Sequence, residues 1–454
     1  MAYTTINKST DHFNTKLYTG NGSTNAITGV GFRPDWLWIK DRGSTYYHYI
    51  QDAVRTSDNV IFSNGTDAAQ DYPNAIQSFD TDGFTTGSQA ATNNNGNNFV
   101  SWNWKAGGTA PAITYVVKVV SDSGNKYRFD DFGTSAVTLD LQEGGTYTFD
   151  QSDSSNSGHP LRFYTAADKT GGEYTTGVTT NGTPGSSGAY TRITVAASAP
   201  TLYYQCSNHA GMGGQANTNS LFGSSNFKGA VQSLVSANTT SGFSVSLVSN
   251  LNSNTFGHGL GVEPDVIFNK RTDDVANWRI YYKGITSGNS LFLNSTSGSS
   301  SESSRISSAD ATTVTVTGSG HGGNAGTGTA VFYCFANKTG FSSSGTYQGN
   351  GNADGTFVYT GFKPAWVLNK RVDSTGNWML IDNKREGFNP DQDDLRPNLP
   401  NAEGSDETFD FLSNGFKVRT TSNDFGGGSG ATYFYLAFAA APLVGSNDVP
   451  CTAR

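Results

Sequence analysis

Charge is scarce in this chain. Asp, Glu, Lys and Arg make up 15% of 454 residues, too few for long amphipathic helices with salt-bridged faces. Lys and Arg number 29 against 37 Asp and Glu, a net charge of −8, and no basic cluster interrupts that balance. Phosphate backbones need a basic footprint, so nucleic acid is excluded as a partner. Cysteine occurs only as Cys206, Cys334 and Cys451, which cannot form a disulfide framework. No apolar run approaches the ~20 residues of a membrane-spanning helix. The start, Met1-Ala2-Tyr3-Thr4-Thr5, lacks the basic and apolar regions of a secretory signal. Proline is also rare, at 13, so the 55 glycines read as turns, not as a collagen-like or disordered tract.

What is present is a repeat. Phe13, Phe243 and Phe341 open three copies of one pattern. Gly31-Phe32-Arg33-Pro34-Asp35-Trp36, Gly261-Val262-Glu263-Pro264-Asp265-Val266 and Gly361-Phe362-Lys363-Pro364-Ala365-Trp366 are its centres. The opening Phe precedes the Gly by 18, 18 and 20 residues. The closing aromatics Trp104, Phe335 and Phe438 follow that Gly by 73, 74 and 77. Lys40, Lys270 and Lys370 fall at one place after the Pro; Trp278 and Trp378 lie eight residues on, where the first copy has His48. Such regularity marks an array of small domains, an architecture of binders and structural parts more often than of enzymes.

Alternation in Trp36-Leu37-Trp38-Ile39-Lys40 and Phe99-Val100-Ser101-Trp102-Asn103-Trp104 predicts half-buried strands. Frequent turn residues between short strands predict an all-β fold of tandem, jelly-roll-like β-sandwich repeats. The boundaries are 1–108, 221–337 and 338–443 for the three repeats, with a polar tail at 444–454. A short helix is expected only around Asp52-Ala53-Val54-Arg55. Each repeat has a Gly- or Asn-rich loop before its last strand, at Asn93–Asn98, Gly318–Gly328 and Gly426–Gly430. Residues 109–220 lack the repeat but read as strands too.

That odd domain holds the one chemical constellation. Cys206-Ser207-Asn208-His209-Ala210-Gly211-Met212 places a thiolate, an imidazole and a thioether on one tight loop after a strand. His159, in Ser157-Gly158-His159-Pro160-Leu161-Arg162-Phe163, lies 47 residues before Cys206. Two His, one Cys and a weak axial Met form the ligand set of a blue-copper site. The domain resembles the cupredoxins, whose short ligand loops have this spacing. The resemblance implies a Greek-key sandwich with His159 and His209 as imidazole ligands, Cys206 as thiolate and Met212 as axial ligand to copper. Cupredoxins usually carry Asn directly after the first His, helping to tie the ligand loops together; here Pro160 stands there. A buried Cys is otherwise a small core residue, and electron transfer would need a redox partner that nothing else in the sequence suggests.

Other signals are weaker. All seven tryptophans lie in the repeats, and aromatics stack on sugars, but along strands one face must be core; a sugar site fits the loops better. Asp52 and Arg55 recur as Asp382 and Arg385, most simply a local salt bridge. Asp391, Asp393 and Asp394 offer oxygens to calcium but lack an EF-hand pattern, so a solvated acidic loop is expected. His12, His48, His258 and His321 sit in no nucleophile or metal motif. No catalytic motif is present, and no catalytic residue is assigned.

The repeat, with its Gly-Phe-x-Pro-x-Trp, its Asp-x-x-Arg and the closing Trp104-Lys105-Ala106-Gly107-Gly108, resembles modules of tail-fibre and other virion structural proteins of marine bacteriophages. Gly158-His159-Pro160-Leu161-Arg162-Phe163 and the Cys206 loop resemble segments of such proteins as well. The resemblance implies a non-enzymatic structural protein of the virion, assembled in the cytoplasm of an infected bacterium. Its partners would be other virion proteins, further copies of itself (a trimer by analogy) and a host surface glycan or receptor. The alternatives are a copper-binding or redox protein and a glycan-binding or glycan-degrading spike.

Overall fold

A computed structural model describes residues 4–108, 110–219, 222–318 and 328–440. His321, Cys451, most of the Gly318–Gly328 loop and the 444–454 tail lie outside these. The regular secondary structure of these residues is almost entirely β-strand.

Each repeat is a sandwich of two antiparallel sheets with a common kernel. In the first, Phe13–Thr19, Asn98–Trp104, Trp36–Asp41 and Tyr49–Asp52 lie side by side. The second orders Phe243–Ser249, Thr329–Phe335, Val266–Arg271 and Arg279–Tyr282 in the same way, and the third orders Ser342–Gln348, Thr432–Ala439, Pro364–Arg371 and Trp378–Asp382. A second sheet covers one face of each kernel: Asn25–Thr28, Gly83–Thr86 and Ile76–Asp80 in the first repeat.

The central strands are not half-buried as their alternation predicts; they are buried on both faces. In Trp36–Asp41 every residue is buried. Leu37 and Ile39 face the first repeat's own sandwich core. Trp36 and Trp38 face away from it, into a second core shared by all three repeats. Val266 and Phe268, and likewise Trp366 and Leu368, join that shared core, while Ile267 and Val367 stay within their own sandwiches. All seven tryptophans are at most 1% exposed. Aromatic contacts cross the centre: Phe13 stacks on Phe438 at 5.1 Å between centroids, Trp36 meets Phe335 at 5.7 Å, and Phe335 meets Phe438 at 5.8 Å.

The repeats close a ring. Ala69 N donates to Thr272 O, Ser299 N to Val372 O and Glu403 N to Arg42 O, each at 2.8 Å, so the first repeat binds the second, the second the third and the third the first. Trp278 Nε1 donates to Phe62 O of the first repeat and Trp378 Nε1 to Phe292 O of the second, both at 2.8 Å. His48 occupies this position in the first repeat. Its Nδ1 accepts from Trp38 Nε1 at 3.0 Å, so Nε2 carries the proton, directed at the Arg396 backbone of the third. The same head-to-tail contact made three times returns to its start, which is how a heterologous interface closes.

Two local expectations are corrected. Ala53-Val54-Arg55 is a turn and not a helix: Asp52 Oδ1 accepts from Arg55 N at 3.0 Å, and Thr56 then takes φ +96°, reversing the chain into Thr56–Phe62. The acidic run is not a solvated loop. Asp391–Asp394 is a strand, with Asp391 fully buried and Asp394 2% exposed, beside Arg385 and Arg42.

The odd domain is a sandwich of its own. One sheet orders Asn125–Phe129, Ala112–Ser121, Thr146–Asp150, Tyr190–Thr194 and Val178–Asn181; the other orders Leu139–Gln142, Gln215–Asn219, Leu202–Cys206 and Leu161–Tyr164. Its core includes Tyr115, Phe129, Phe149, Phe163 and Tyr204. It sits on Ser224–Asn226, an extra strand of the second repeat: Tyr115 Oη donates to Ser225 O at 2.7 Å, and Tyr147 Oη lies 2.6 Å from Ser224 Oγ.

Candidate metal centre

The register of one hairpin builds the site. Leu161–Tyr164 and Leu202–Cys206 pair antiparallel with Leu161 opposite Cys206. The segment before Leu161 and the loop after Cys206 therefore leave the sandwich at one pole, which places His159 against the Cys206–Met212 loop. Ser207 N donates to Pro160 O at 3.0 Å, and Asn208 Nδ2 to Gly158 O at 2.9 Å. These bonds join the two ligand segments, a task that falls to Asn208 on the Cys loop where Pro160 replaces the expected Asn. Gln151 Nε2 and Tyr127 Oη both donate to His159 O at 2.9 Å, fixing the first His segment from below. Gly213 has no room for a side chain: a Cβ there would fall 1.6 Å from Tyr204 O.

Three of the four expected ligands converge. Cys206 Sγ is 3.5 Å from His209 Nδ1 and 3.8 Å from His159 Nδ1, and the imidazole centroids are 4.7 Å apart. One ion bound at about 2.0–2.1 Å to nitrogen and 2.3 Å to sulfur, with near-trigonal to tetrahedral angles, requires N–S separations of about 3.6–3.8 Å. The observed pair brackets that range, so the residues fit a metal. Among the described residues, no other group of three His, Cys, Asp or Glu side chains brings its ligand atoms so close, all within 4.8 Å. Met212 closes the loop with its side chain buried, in the same core cluster as Cys206, and its carbonyl accepts from Tyr127 N at 2.9 Å.

The electrostatics suit a ligand role. Partial burial and the neighbouring His209 lower the His159 pKa, favouring the neutral imidazole that metals bind. Asn125 Nδ2 lies 3.5 Å from His159 Nε2; turning the carboxamide over would present its oxygen to an Nε2 proton and leave Nδ1 free for a metal. Cys206 is buried, His159 half-buried and His209 exposed, so the pole reaches solvent through the imidazoles. Cys334 is different: burial pushes its thiol up to about 12, and it is an inert core residue.

The other sequence signals do not assemble a site. Asp52–Arg55 and Asp382–Arg385 are local ion pairs, with Nε–Oδ2 distances of 2.6 and 2.7 Å, and each Asp also accepts a bond from the next repeat. His258 accepts from Leu260 N and faces Asp310 O at 3.1 Å, and His12 lies 3.3 Å from Asn238 Nδ2. Of the Gly-rich loops, Asn93–Asn98 contributes Gly96, Asn97 and Asn98 to an open cleft of about 430 Å³, shared with Arg42, Ser44 and Glu403. Asn208 was visible inside the Cys-loop motif as a short polar side chain between two ligands. Lys126 and Lys169, which also bond this loop, carried no sequence signal.

The chain matches a family described as a domain of unknown function, DUF7483, over residues 8–131 and 215–442. It belongs to that family. No curated protein and no solved structure matches it. The matched stretches take in all three repeats and leave out 132–214, the part that carries His159, Cys206, His209 and Met212.

Proposed function

We propose that this DUF7483 protein is a non-enzymatic structural protein of a bacteriophage virion, a tail fibre, knob or similar surface appendage, and that the domain seated between its first and second repeats binds copper. The observation that carries the metal reading is the convergence of His159 Nδ1, Cys206 Sγ and His209 Nδ1 at 3.5 and 3.8 Å, with Met212 at the end of the same loop. Bound copper would supply a one-electron couple tuned by a thiolate and a weak axial ligand. The chain's part is to hold the imidazoles and the thiolate in place and to keep Cys206 out of water. The structural reading is supported by the ring, in which the repeats' aromatic and ionic side chains are occupied with packing one repeat on the next. The virion is inferred from the resemblance of the repeat to marine phage tail-fibre modules. Contact with a host glycan falls to the polar cleft at Arg42, Asn97 and Glu403, since the tryptophans are buried.

Two measurements test this. Cu(II) titration of the full chain should produce an intense visible thiolate-to-copper band that Cys206→Ala abolishes and Cys334→Ala leaves intact. Absence of the band, with no binding by calorimetry, removes the metal reading. Mass spectrometry of purified phage particles should find the chain as a stoichiometric component; its absence from particles removes the virion reading.

A further inference from the structure

Two ammonium groups hold the metal loop from opposite ends. Lys169, on the loop after Leu161–Tyr164, donates from Nζ to Cys206 O and to Ser207 O, both at 3.2 Å. Lys126, on Asn125–Phe129, donates from Nζ to Gly211 O. Both side chains are half-buried, and neither forms an ion pair among the described residues. Their charge therefore acts on the loop without a carboxylate in ion-pair contact among the described residues. Lys169 is held in place by a built turn: its own φ is +68°, and its N–H donates to Ala166 O at 3.0 Å.

We propose that Lys126 and Lys169 make this site selective for Cu(I) over divalent ions. The proposal rests on the copper reading above. A thiolate with two neutral imidazoles binds Cu(I) as a neutral unit, whereas Cu(II) or Zn(II) leaves a net positive charge. Two ammoniums on the backbone of the loop, which is exposed between the buried Cys206 and Met212, repel that extra charge and leave the neutral state untouched. The donor set already favours Cu(I) through its soft sulfur ligands, and the lysines add a field of the same sign. The loop carbonyls they engage belong to Cys206, Ser207 and Gly211, the residue just before Met212, so the field is delivered to both ends of the loop.

The test uses the full chain. Cu(I) affinity is measured anaerobically against a chromogenic Cu(I) chelator, and Cu(II) affinity from the thiolate band. Lys169→Met and Lys126→Met should each lower the ratio of Cu(I) to Cu(II) affinity about tenfold, which is about 59 mV in a one-electron potential. The band position should not change, since no ligand is altered, and Lys169→Arg should keep the wild-type ratio. A ratio unchanged within about twofold in both Met variants, with the band retained, overturns the proposal. Should those variants fail to fold, raising salt from low ionic strength to about 1 M on the wild type screens the same charges; the ratio should fall, and an invariant ratio overturns the proposal equally. A wild-type chain that binds copper in neither state brings down the copper reading itself, a result distinct from binding without selectivity.

Discussion

Breaking the ring at its two ionic seams should cost different amounts. Asp52 is fully buried and accepts from Arg55 Nε at 2.6 Å and from Tyr333 Oη of the second repeat at 2.6 Å. Arg55 has little else: its Nη2 is 3.5 Å from Tyr333 Oη, and its Nη1 is buried without a partner. Asp52→Ala therefore strands a buried guanidinium, for which about 4–5 kcal/mol is expected. Asp382 is its counterpart at the seam from third repeat to first, accepting from Trp102 Nε1 at 2.9 Å and Arg385 Nε at 2.7 Å. After Asp382→Ala, however, Arg385 keeps Glu403 Oε2 at 2.9 Å and Leu380 O at 3.0 Å. The loss there is reduced to about 3 kcal/mol. Urea unfolding of the full chain, followed by tryptophan emission and by circular dichroism, separates the two. With a slope of about 3 kcal/mol per molar, Asp52→Ala should lower the midpoint by roughly 1.5 M and Asp382→Ala by roughly 1 M. The pair Asp52→Leu with Arg55→Met should recover most of the loss, because it removes the charge together with its partner. An Asp52→Ala effect below about 1 kcal/mol, or one no larger than that of Asp382→Ala, would refute the reasoning.

Three further outcomes follow from the same structure. Lys40, Lys270 and Lys370 are fully buried, and burial lowers their pKa values to about 8, 7 and 8. The folded chain thus binds fewer protons than the unfolded one from about pH 7 to 10.5, and stability from these groups is gained as pH rises through that window. Relative to Lys270→Met, the wild type should gain about 1.4 kcal/mol per pH unit there, read from paired unfolding curves; a flat difference contradicts the placement of Lys270. Gly213→Ala should abolish copper binding, because its Cβ would fall 1.6 Å from Tyr204 O within the hairpin that presents Cys206; a normal visible band in that variant would show the loop to be looser than described. Saturating host polysaccharide should leave tryptophan emission unchanged, since all seven indoles are at most 1% exposed, and a wavelength shift on binding would place a tryptophan at the sugar.

Much of this fold was legible because periodicity is a local signal. The alternation in Trp36-Leu37-Trp38-Ile39 marked a strand, and the spacing of Gly31, Gly261 and Gly361 marked three units. The second burial face was not legible. Alternation between Trp and Leu or Ile looks like a strand with one large and one aliphatic face, and nothing local says that the tryptophans of three units meet. The acidic run failed for a related reason: Asp391, Asp393 and Asp394 look solvated until Arg42, more than three hundred residues away in sequence, is brought within 3.2 Å of Asp393. The proposed ligand set was chosen from residue types, because chemistry restricts which of them can hold copper, and His159, Cys206 and His209 do lie together in the fold. The geometry that joins its two segments depends on the register of Leu161 opposite Cys206, which only the folded hairpin defines.

The ring and the domain with the candidate metal site are separable parts of one chain. The core shared by the three repeats contains no residue of 109–220. That domain instead rests on Ser224–Asn226, a strand added at the edge of the second repeat beyond the kernel common to all three. Extending a sheet by edge strands leaves the pairing of its centre untouched, and the strand next to Ser224–Asn226 also reaches the first repeat, where Gly107 N donates to Ser236 Oγ at 3.0 Å. The family match divides the chain along similar lines, including all three repeats and omitting 132–214. Membership in DUF7483 therefore speaks for the ring, and the case for copper stands on His159, Cys206, His209 and Met212 alone. The ring also closes with three repeats of a single chain, each seam backed by a main-chain hydrogen bond of 2.8 Å. A second copy of the protein is not needed to complete it, and any oligomer would use the outer faces of the sandwiches and not the aromatic centre.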